Sequence, residues 1–372
     1  MARDFSKVQR IVIKVGTALL TDEKGLNKNK LEDIVSQIAN LKQKGYQILL
    51  VSSGAIGMGA KELGLKTKSS NMAMRQACAS IGQPLLMSKY YNSFRKNGII
   101  CSQILVNRKD FNNRTTFLNL RNSVEKLINL SIIPIFNEND ATSTAEIGTT
   151  FGDNDRLSAL IASKIDADLM IILSDINGLY TQDPKKCENA KLLEEVNVID
   201  KTITSYAGTN TSTFSTGGMK TKIIAAQIAL RGGTTCIIAN GKTENVLERI
   251  LKNESIGTCF HPTVKLSQRE RWIMNNTHSG SITVDDGAYK ALLDNKSLLA
   301  KGVVKVEGTF DKNEVVKVLK EDSILFAKAL VGFSSNELVQ IMGHNSIEAN
   351  KILRHDVKKV VFRPEDMVFI KG

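Results

Sequence analysis

Again and again in its first 240 residues the chain runs through a short stretch that is apolar on both sides of the pleat. Each stretch then stops in glycine or small polar residues. Arg10-Ile11-Val12-Ile13-Lys14-Val15 leads into Gly16-Thr17, and Tyr46 to Val51 into Ser52-Ser53-Gly54-Ala55-Ile56-Gly57-Met58-Gly59. Ile132 to Phe136 leads into Asn137-Glu138-Asn139-Asp140, Asp168 to Leu173 into Ser174-Asp175, and Thr234 to Ala239 into Asn240-Gly241. Strands apolar on both faces need cover on both faces, which a parallel sheet between helices supplies. The helices are there: Leu31, Ile34, Val35, Ile38 and Leu41 recur at helical spacing before Gly45. Met72 to Asn97, Thr115 to Leu130 and Arg156 to Ile165 also read as helix. The expected fold is an α/β/α sandwich with a mainly parallel sheet. Ligands of such sheets sit at the carboxyl ends of the strands.

At 372 residues the chain is too long for one ordinary core. Its texture changes near residue 260. Residues 1–260 read as a first domain, 261–270 as a linker, and 271–372 as a second domain. In that last part Gly280 to Val284, Val303 to Val306, Val315 to Leu319 and Val360 to Phe362 are short β-like pieces. They predict a small β-rich barrel or sandwich with one or two helices. No apolar run is long enough to span a membrane. Met1 to Lys7 passes into the first strand without a signal-peptide core. The five cysteines are scattered and form no CxxC pair, which argues for a reducing cytoplasm and against a structural zinc site.

The net charge of +12 leaves nucleic acid and small anions open as partners. Residues 271–372 hold 15 basic and 13 acidic residues, a net of only +2, so the excess lies in the first domain. All four histidines stand at or after position 261. A Ser-His-Asp or Cys-His mechanism is therefore excluded from the first 260 residues. No GxxxxGK[ST] occurs, and Glu62 stands where a dinucleotide fingerprint needs its third glycine.

Thr216-Gly217-Gly218-Met219-Lys220-Thr221-Lys222 reads as a glycine turn feeding a helix, with Thr216 or Thr221 as a cap. Free N–H groups and two lysines there suit a polyphosphate. Lys14 interrupts an otherwise apolar strand at its end. Asn137 to Asp140 and Gly152-Asp153-Asn154-Asp155 bracket a polar stretch, Ala141 to Phe151, that reads as a hairpin or flap. The pair of acidic clusters suits a substrate or Mg²⁺.

Taken in order, these motifs resemble the amino acid kinase family, in the branch that phosphorylates glutamate and carries a C-terminal PUA domain. The resemblance rests on Ile13-Lys14-Val15-Gly16-Thr17, Ser52 to Ile56, Asn137 to Ala141, Thr144 to Ile147, Gly152 to Asp155, Gly178-Leu179-Tyr180 and Thr216 to Met219. In the tail it rests on Arg271-Trp272, Ile282 to Ala288 and Ile341 to Ser346. Asp294 to Lys301 departs from the glycine and proline usual in that loop, which touches loop detail only.

The resemblance implies a phosphotransferase with a carboxyl acceptor: ATP and L-glutamate give ADP and L-glutamyl 5-phosphate, the first step toward proline. By carry-over, Lys14 and Lys222 are catalytic and Asp155 orients them. Ser53, Gly54, Asp140 and Asn154 contact glutamate, with Asp140 facing its ammonium group. Lys14, Ser174, Asp175 and Thr216, Gly217, Gly218, Met219, Lys220, Thr221 and Lys222 form the nucleotide site. Mg²⁺ comes on the ATP phosphates, with Asp153 or Asp155 as candidate protein ligands. Proline is the implied inhibitor, and a dimer or tetramer the implied assembly. The alternatives are a relative acting on acetylglutamate, aspartate or a nucleoside monophosphate, and an RNA-binding protein acting through its PUA tail.

Overall fold

The computed structural model describes residues 3–22, 25–65, 71–142, 154–184, 186–207, 218–262, 266–276, 278–353 and 360–370. The chain divides into two compact units, Met1–Lys265 and Leu266–Gly372.

The first unit begins with β1 (Arg10–Val15), α1 (Thr17–Leu20), a two-residue hairpin of β2 (Thr21–Asp22) and β3 (Gly25–Leu26), α2 (Lys28–Gln43) and β4 (Gln47–Ser52). It continues through α3 (Ala55–Glu62), α4 (Met72–Lys96), β5 (Cys101–Val106), α5 (Arg108–Asn112), α6 (Arg114–Asn129) and β6 (Ile133–Glu138). Then come α7 (Asn154–Lys164), β7 (Leu169–Ser174), β8 (Glu195–Val196), α8 (Lys201–Ser205), α9 (Met219–Arg231), β9 (Thr235–Asn240), α10 (Val246–Leu251) and β10 (Thr258–Phe260).

One eight-stranded sheet runs in the order β5-β6-β4-β1-β7-β9-β10-β8. From β5 to β9 all neighbours are parallel; β10 is antiparallel to β9 and parallel to β8. Alternate residues of β1 go to opposite faces. Ile11, Ile13 and Val15 join a core with Leu31, Ile34, Val246, Leu247 and Ile250 of α2 and α10. The opposite face is covered by α7, which packs on β1, β4, β6 and β7 and against α9. This is the mainly parallel, helix-covered sheet that the sequence predicts. The chain builds leftward from β1 through β4, β5 and β6, then crosses to β7 and β9. The carboxyl ends of β4, β1 and β7 therefore flank the switch point, where ligands of such sheets bind.

Caps and breakers set the ends of the elements. The Asn27 side chain accepts a hydrogen bond from the Lys30 N–H and starts α2, and Gly45, at φ 93°, turns the chain out of it. Two glycines read as loop residues do something else: Gly57 and Gly59 lie inside α3. A Cβ on Gly59 would sit 1.8 Å from the Cys78 carbonyl oxygen, and one on Gly82 the same distance from that of Ala55. So α3 and α4 meet backbone to backbone. A Gly59→Ala change should destabilise the protein by about 1–3 kcal/mol through overpacking. Gly57 has open space around it, so Gly57→Ala should be neutral or gain up to about 1 kcal/mol of helix stability. Equal denaturant midpoints for the two variants would contradict this packing.

The second unit holds a five-stranded sheet, β12-β11-β13-β14-β15, built from β11 (Gly280–Val284), β12 (Val303–Gly308), β13 (Val315–Lys320), β14 (Leu325–Leu330) and β15 (Met367–Phe369). Its helices are α11 (Gln268–Asn275), α12 (Asp286–Leu293), α13 (Ser335–Ile341) and α14 (Ser346–Leu353). Its own core contains Ile282, Val316, Val318, Phe310, Phe333, Leu338, Ile341 and Phe362. The sequence reading misses β14, whose small alanines dilute the signal, and takes Val360–Phe362 as a strand. In the structure Phe362 makes only an isolated bridge to Leu298.

Candidate active site

The site begins with a charge that an apolar strand does not tolerate by itself. Lys14 is the next-to-last residue of β1 and only 5% exposed. A buried ammonium needs a counter-charge. Asp155, in the first turn of α7 and fully buried, supplies it: Lys14 Nζ lies 2.6 Å from Asp155 Oδ1. The other carboxylate oxygen takes a second cation, Lys222 Nζ, at 3.2 Å. Lys222 is 4% exposed and lies in the first turn of α9. The positive end of a helix disfavours a lysine there. One shared carboxylate faces two ammoniums, so these three side chains sum to +1, which suits an anion.

The start of α9 differs from its expected cap. The N-cap is Gly218, and no side chain caps it. Thr221 lies with its Oγ1 2.8 Å from the Gly218 carbonyl oxygen and 3.1 Å from Asp155 Oδ2. It ties the loop to the carboxylate. Met219 and Lys220 open the same helix turn. Thr216, Gly217, Asp153 and residues 143–151 of the expected flap lie outside the described residues.

Beside the cluster, Asn154 Nδ2 lies 2.9 Å from the Ser52 carbonyl oxygen, 2.8 Å from Ser53 Oγ and 2.9 Å from Asn137 Oδ1. This joins the end of β4, the end of β6 and the start of α7. Gly54 turns the chain at φ 116° into α3, a conformation that suits glycine. Asn137 Nδ2 donates to Gln83 Oε1 at 2.8 Å, and Gln83 Nε2 to Gln103 Oε1 at 3.0 Å. Gln83 escapes sequence reading because a glutamine in a helix carries no local signal. Asn137 stands in the polar run after β6, but its inward direction follows only from the strand's place in the sheet.

A cavity of about 170 Å³ opens next to these residues, lined by Ala55, Gln83, Gln103, Glu138 and Asp140 among others. Pro84 also lines it; lacking an N–H, it leaves the Ser80 carbonyl without its helical partner on the same wall. Asp140 is largely desolvated there. That burial, with Glu138 beside it, pushes its carboxyl up to about 6, while Arg75 opposes the rise. On the other side of β1, Ser174 ends β7 with its Oγ 3.1 Å from Asp175 Oδ1, and the Gly241 N–H donates to the Ser174 carbonyl at 2.8 Å. Ser174 and Asp175 thus lie at a carboxyl edge shared with Lys14.

Comparison with known proteins is consistent with this geometry. The model of the amino acid kinase family matches residues 9–240, and that of the PUA domain residues 280–353. Glutamate 5-kinase of Methanosarcina acetivorans is 42% identical over 378 residues, covering 99% of this chain and 98% of that protein. The glutamate 5-kinase of Caldanaerobacter subterraneus subsp. tengcongensis is 42% identical over 366 residues, covering 97% of this chain and 98% of that protein. Among solved structures, carbamate kinase from Giardia lamblia bound to AMP-PNP aligns with a TM-score of 0.50 at 17% identity, covering 69% of this chain and 99% of that one. T. acidophilum isopentenyl phosphate kinase aligns with a TM-score of 0.50 at 16% identity, covering 68% of this chain and all of that one. The two structures speak to the fold alone. The family model spans well over half of the chain and the curated relatives align almost end to end, so the chain belongs to the amino acid kinase family and carries a C-terminal PUA domain.

Proposed function

We propose that this chain transfers the γ-phosphoryl group of ATP to the γ-carboxylate of L-glutamate, giving ADP and L-glutamyl 5-phosphate. The observation that carries the proposal is the pair of buried lysines on one carboxylate, in a domain that also holds a cavity lined by Gln83, Glu138 and Asp140. Relatives at this level of identity are named for the same reaction.

The chemistry asks little of acid–base groups. A glutamate side chain, with a pKa near ~4.3, is already ionised at neutral pH. Its oxygen attacks the γ-phosphorus, and the bond from that phosphorus to the β,γ-bridging oxygen breaks. No proton has to leave, which suits a domain whose histidines lie outside the site. The obstacle is the meeting of two anions and the charge that develops on the transferring group. Lys14 and Lys222 approach that charge from β1 and α9. Asp155 holds both ammoniums in place, so little reorganisation is needed during transfer.

In this reading Asp140 holds the substrate ammonium, while Ser53, the Gly54 backbone and Asn154 hold its carboxylates. Ser174, Asp175 and residues 216–222 hold the nucleotide. Both Asp155 oxygens are engaged by lysines, which does not fit a direct metal ligand. Mg²⁺ is then carried on the ATP phosphates, where it screens their charge. Proline as a competing inhibitor, a dimeric or tetrameric assembly and a cytoplasmic setting complete the proposal.

The test is ADP release with Mg²⁺-ATP and one acceptor at a time: glutamate, N-acetylglutamate, aspartate or UMP, with hydroxylamine to trap an acyl phosphate. Turnover with glutamate alone, giving a hydroxamate, is expected. Turnover only with another acceptor would overturn the substrate assignment and leave the lysine pair intact.

The raised carboxyl of Asp140 gives a pH prediction. Below about 6 it is protonated in the free enzyme and no longer pairs with an ammonium. The kcat/KM for glutamate should fall as pH drops through that value, while kcat/KM for ATP at saturating glutamate stays flat. Asp140→Asn should raise KM for glutamate and abolish the inflection. An unchanged inflection in that variant would remove Asp140 from the ammonium site.

A further inference from the structure

Away from the kinase site, Glu195, Cys259 and His261 place a carboxylate oxygen, a thiol sulfur and an imidazole nitrogen within 4.8 Å of one another. The fold builds this arrangement from two short strands. β8 and β10 pair in parallel with Glu195 opposite Cys259, and the His261 N–H donates to the Val196 carbonyl. Cys259 and His261 are two residues apart, so both side chains emerge on one face beside Glu195. Cys259 shares its core with Ile11, Ile13 and Val15 on the α2 and α10 side. Lys14 and Asp155 lie on the opposite face, which makes this cluster separate from the kinase site.

We propose that Glu195, Cys259 and His261 form a binding site for a divalent transition metal of the zinc type. A thiolate, an imidazole and a carboxylate together are a borderline-soft donor set that suits zinc or cobalt and not magnesium or calcium. Thiolate and carboxylate bring two negative charges to a dication, the carboxylate's being shared with Arg3. Three protein ligands leave a fourth position for water.

The surrounding residues already orient the carboxylate. Arg3 Nε donates to Glu195 Oε1 at 2.7 Å, which directs Oε2 toward His261 Nε2, its hydrogen-bond partner. Hydrogen bonding to a ligating carboxylate is what metal sites use to fix their ligands. Arg3 is itself anchored: its side chain is 4% exposed, and its remaining nitrogens donate to the carbonyls of Glu194, Glu254, Ile256 and Gly257. A bound metal would lock β8, β10 and the segment before β1 to one another at the sheet edge. The scattered cysteines argue against a zinc site when read along the sequence. Strand pairing supplies the ligand spacing that CxxC supplies elsewhere.

The experiment is a Co²⁺ titration of the full reduced chain, read by the near-ultraviolet thiolate-to-cobalt charge-transfer band. One Co²⁺ per chain is expected, displaced by Zn²⁺. Metal binding takes up the thiolate, so affinity should rise with pH. Cys259→Ser should lack the band. His261→Asn, a change at a less enclosed position that keeps a donor toward Glu195, should weaken Co²⁺ binding at least about tenfold. Circular dichroism checks that each variant folds. A wild-type chain without the band, or a band that survives in both folded variants, would overturn the site.

Discussion

Replacing Lys222 with alanine is expected to lower kcat at least about a hundredfold while changing KM for ATP and glutamate only a few-fold. The expectation rests on where the charge sits. Lys222 is buried, and its Nζ is 3.2 Å from a carboxylate that Lys14 also contacts. In the ground state the second lysine leaves the cluster one positive charge in excess. That excess acts most strongly when negative charge builds on the transferring phosphoryl group, so it lowers the barrier more than it tightens binding. Removing one preorganised donor from such a site typically costs about 3–4 kcal/mol of transition-state stabilisation. The variant should still fold, because Lys14 and Asp155 remain as a neutral buried pair. A kcat within about threefold of wild type would remove Lys222 from the chemistry.

Asp155→Asn should fail in a different way. It leaves two buried ammoniums without their common counter-charge. Removing one partner from a buried ion pair costs about 3–5 kcal/mol, most of it the uncompensated charge left behind. The variant is expected to lose stability by that order and to lose most of its kcat. Mg²⁺-ATP should recover part of the stability, since its phosphates restore negative charge beside the lysines. Its thermal shift should therefore be larger in Asp155→Asn than in wild type. The Lys222→Ala variant, with its charge reduced, should show a smaller one. An Asp155→Asn variant with wild-type stability in the absence of nucleotide would mean that the carboxylate does not hold the two lysines together.

These variants also mark what local reading reaches. Lys14 is conspicuous in the chain because a lysine interrupts a β-branched run, and burial on both faces makes that unusual. Asp140 is conspicuous because it ends a polar cluster after a buried strand. Gln83 is invisible by the same logic: nothing nearby distinguishes it from any helical glutamine, and only the approach of β6 gives it Asn137 as a partner. Gly59 is misleading, since a glycine after a strand suggests a ligand loop, yet here it admits the backbone of α4. β14 and β10 are too short or too mildly apolar to announce themselves. β14 pairs with the preceding β13 as well as with β15, and β10 with the preceding β9 as well as with β8, so only part of their hydrogen bonding comes from distant segments.

The sequence by itself determined the alternation of buried strands and helices, the polar residues at the strand ends and the exclusion of a histidine mechanism from residues 1–260. The first two follow from propensities and periodicities that act over a few residues, the third from the positions of the histidines alone. Only the tertiary structure decided which strand ends meet. The order β4-β1-β7 brings α7 and α9 over the same end of β1, so Lys14 and Lys222 reach opposite oxygens of Asp155. The pairing of β8 with β10 likewise sets Glu195 beside Cys259 and His261. Such meetings depend on strand pairings between distant segments, which no local window of the chain contains.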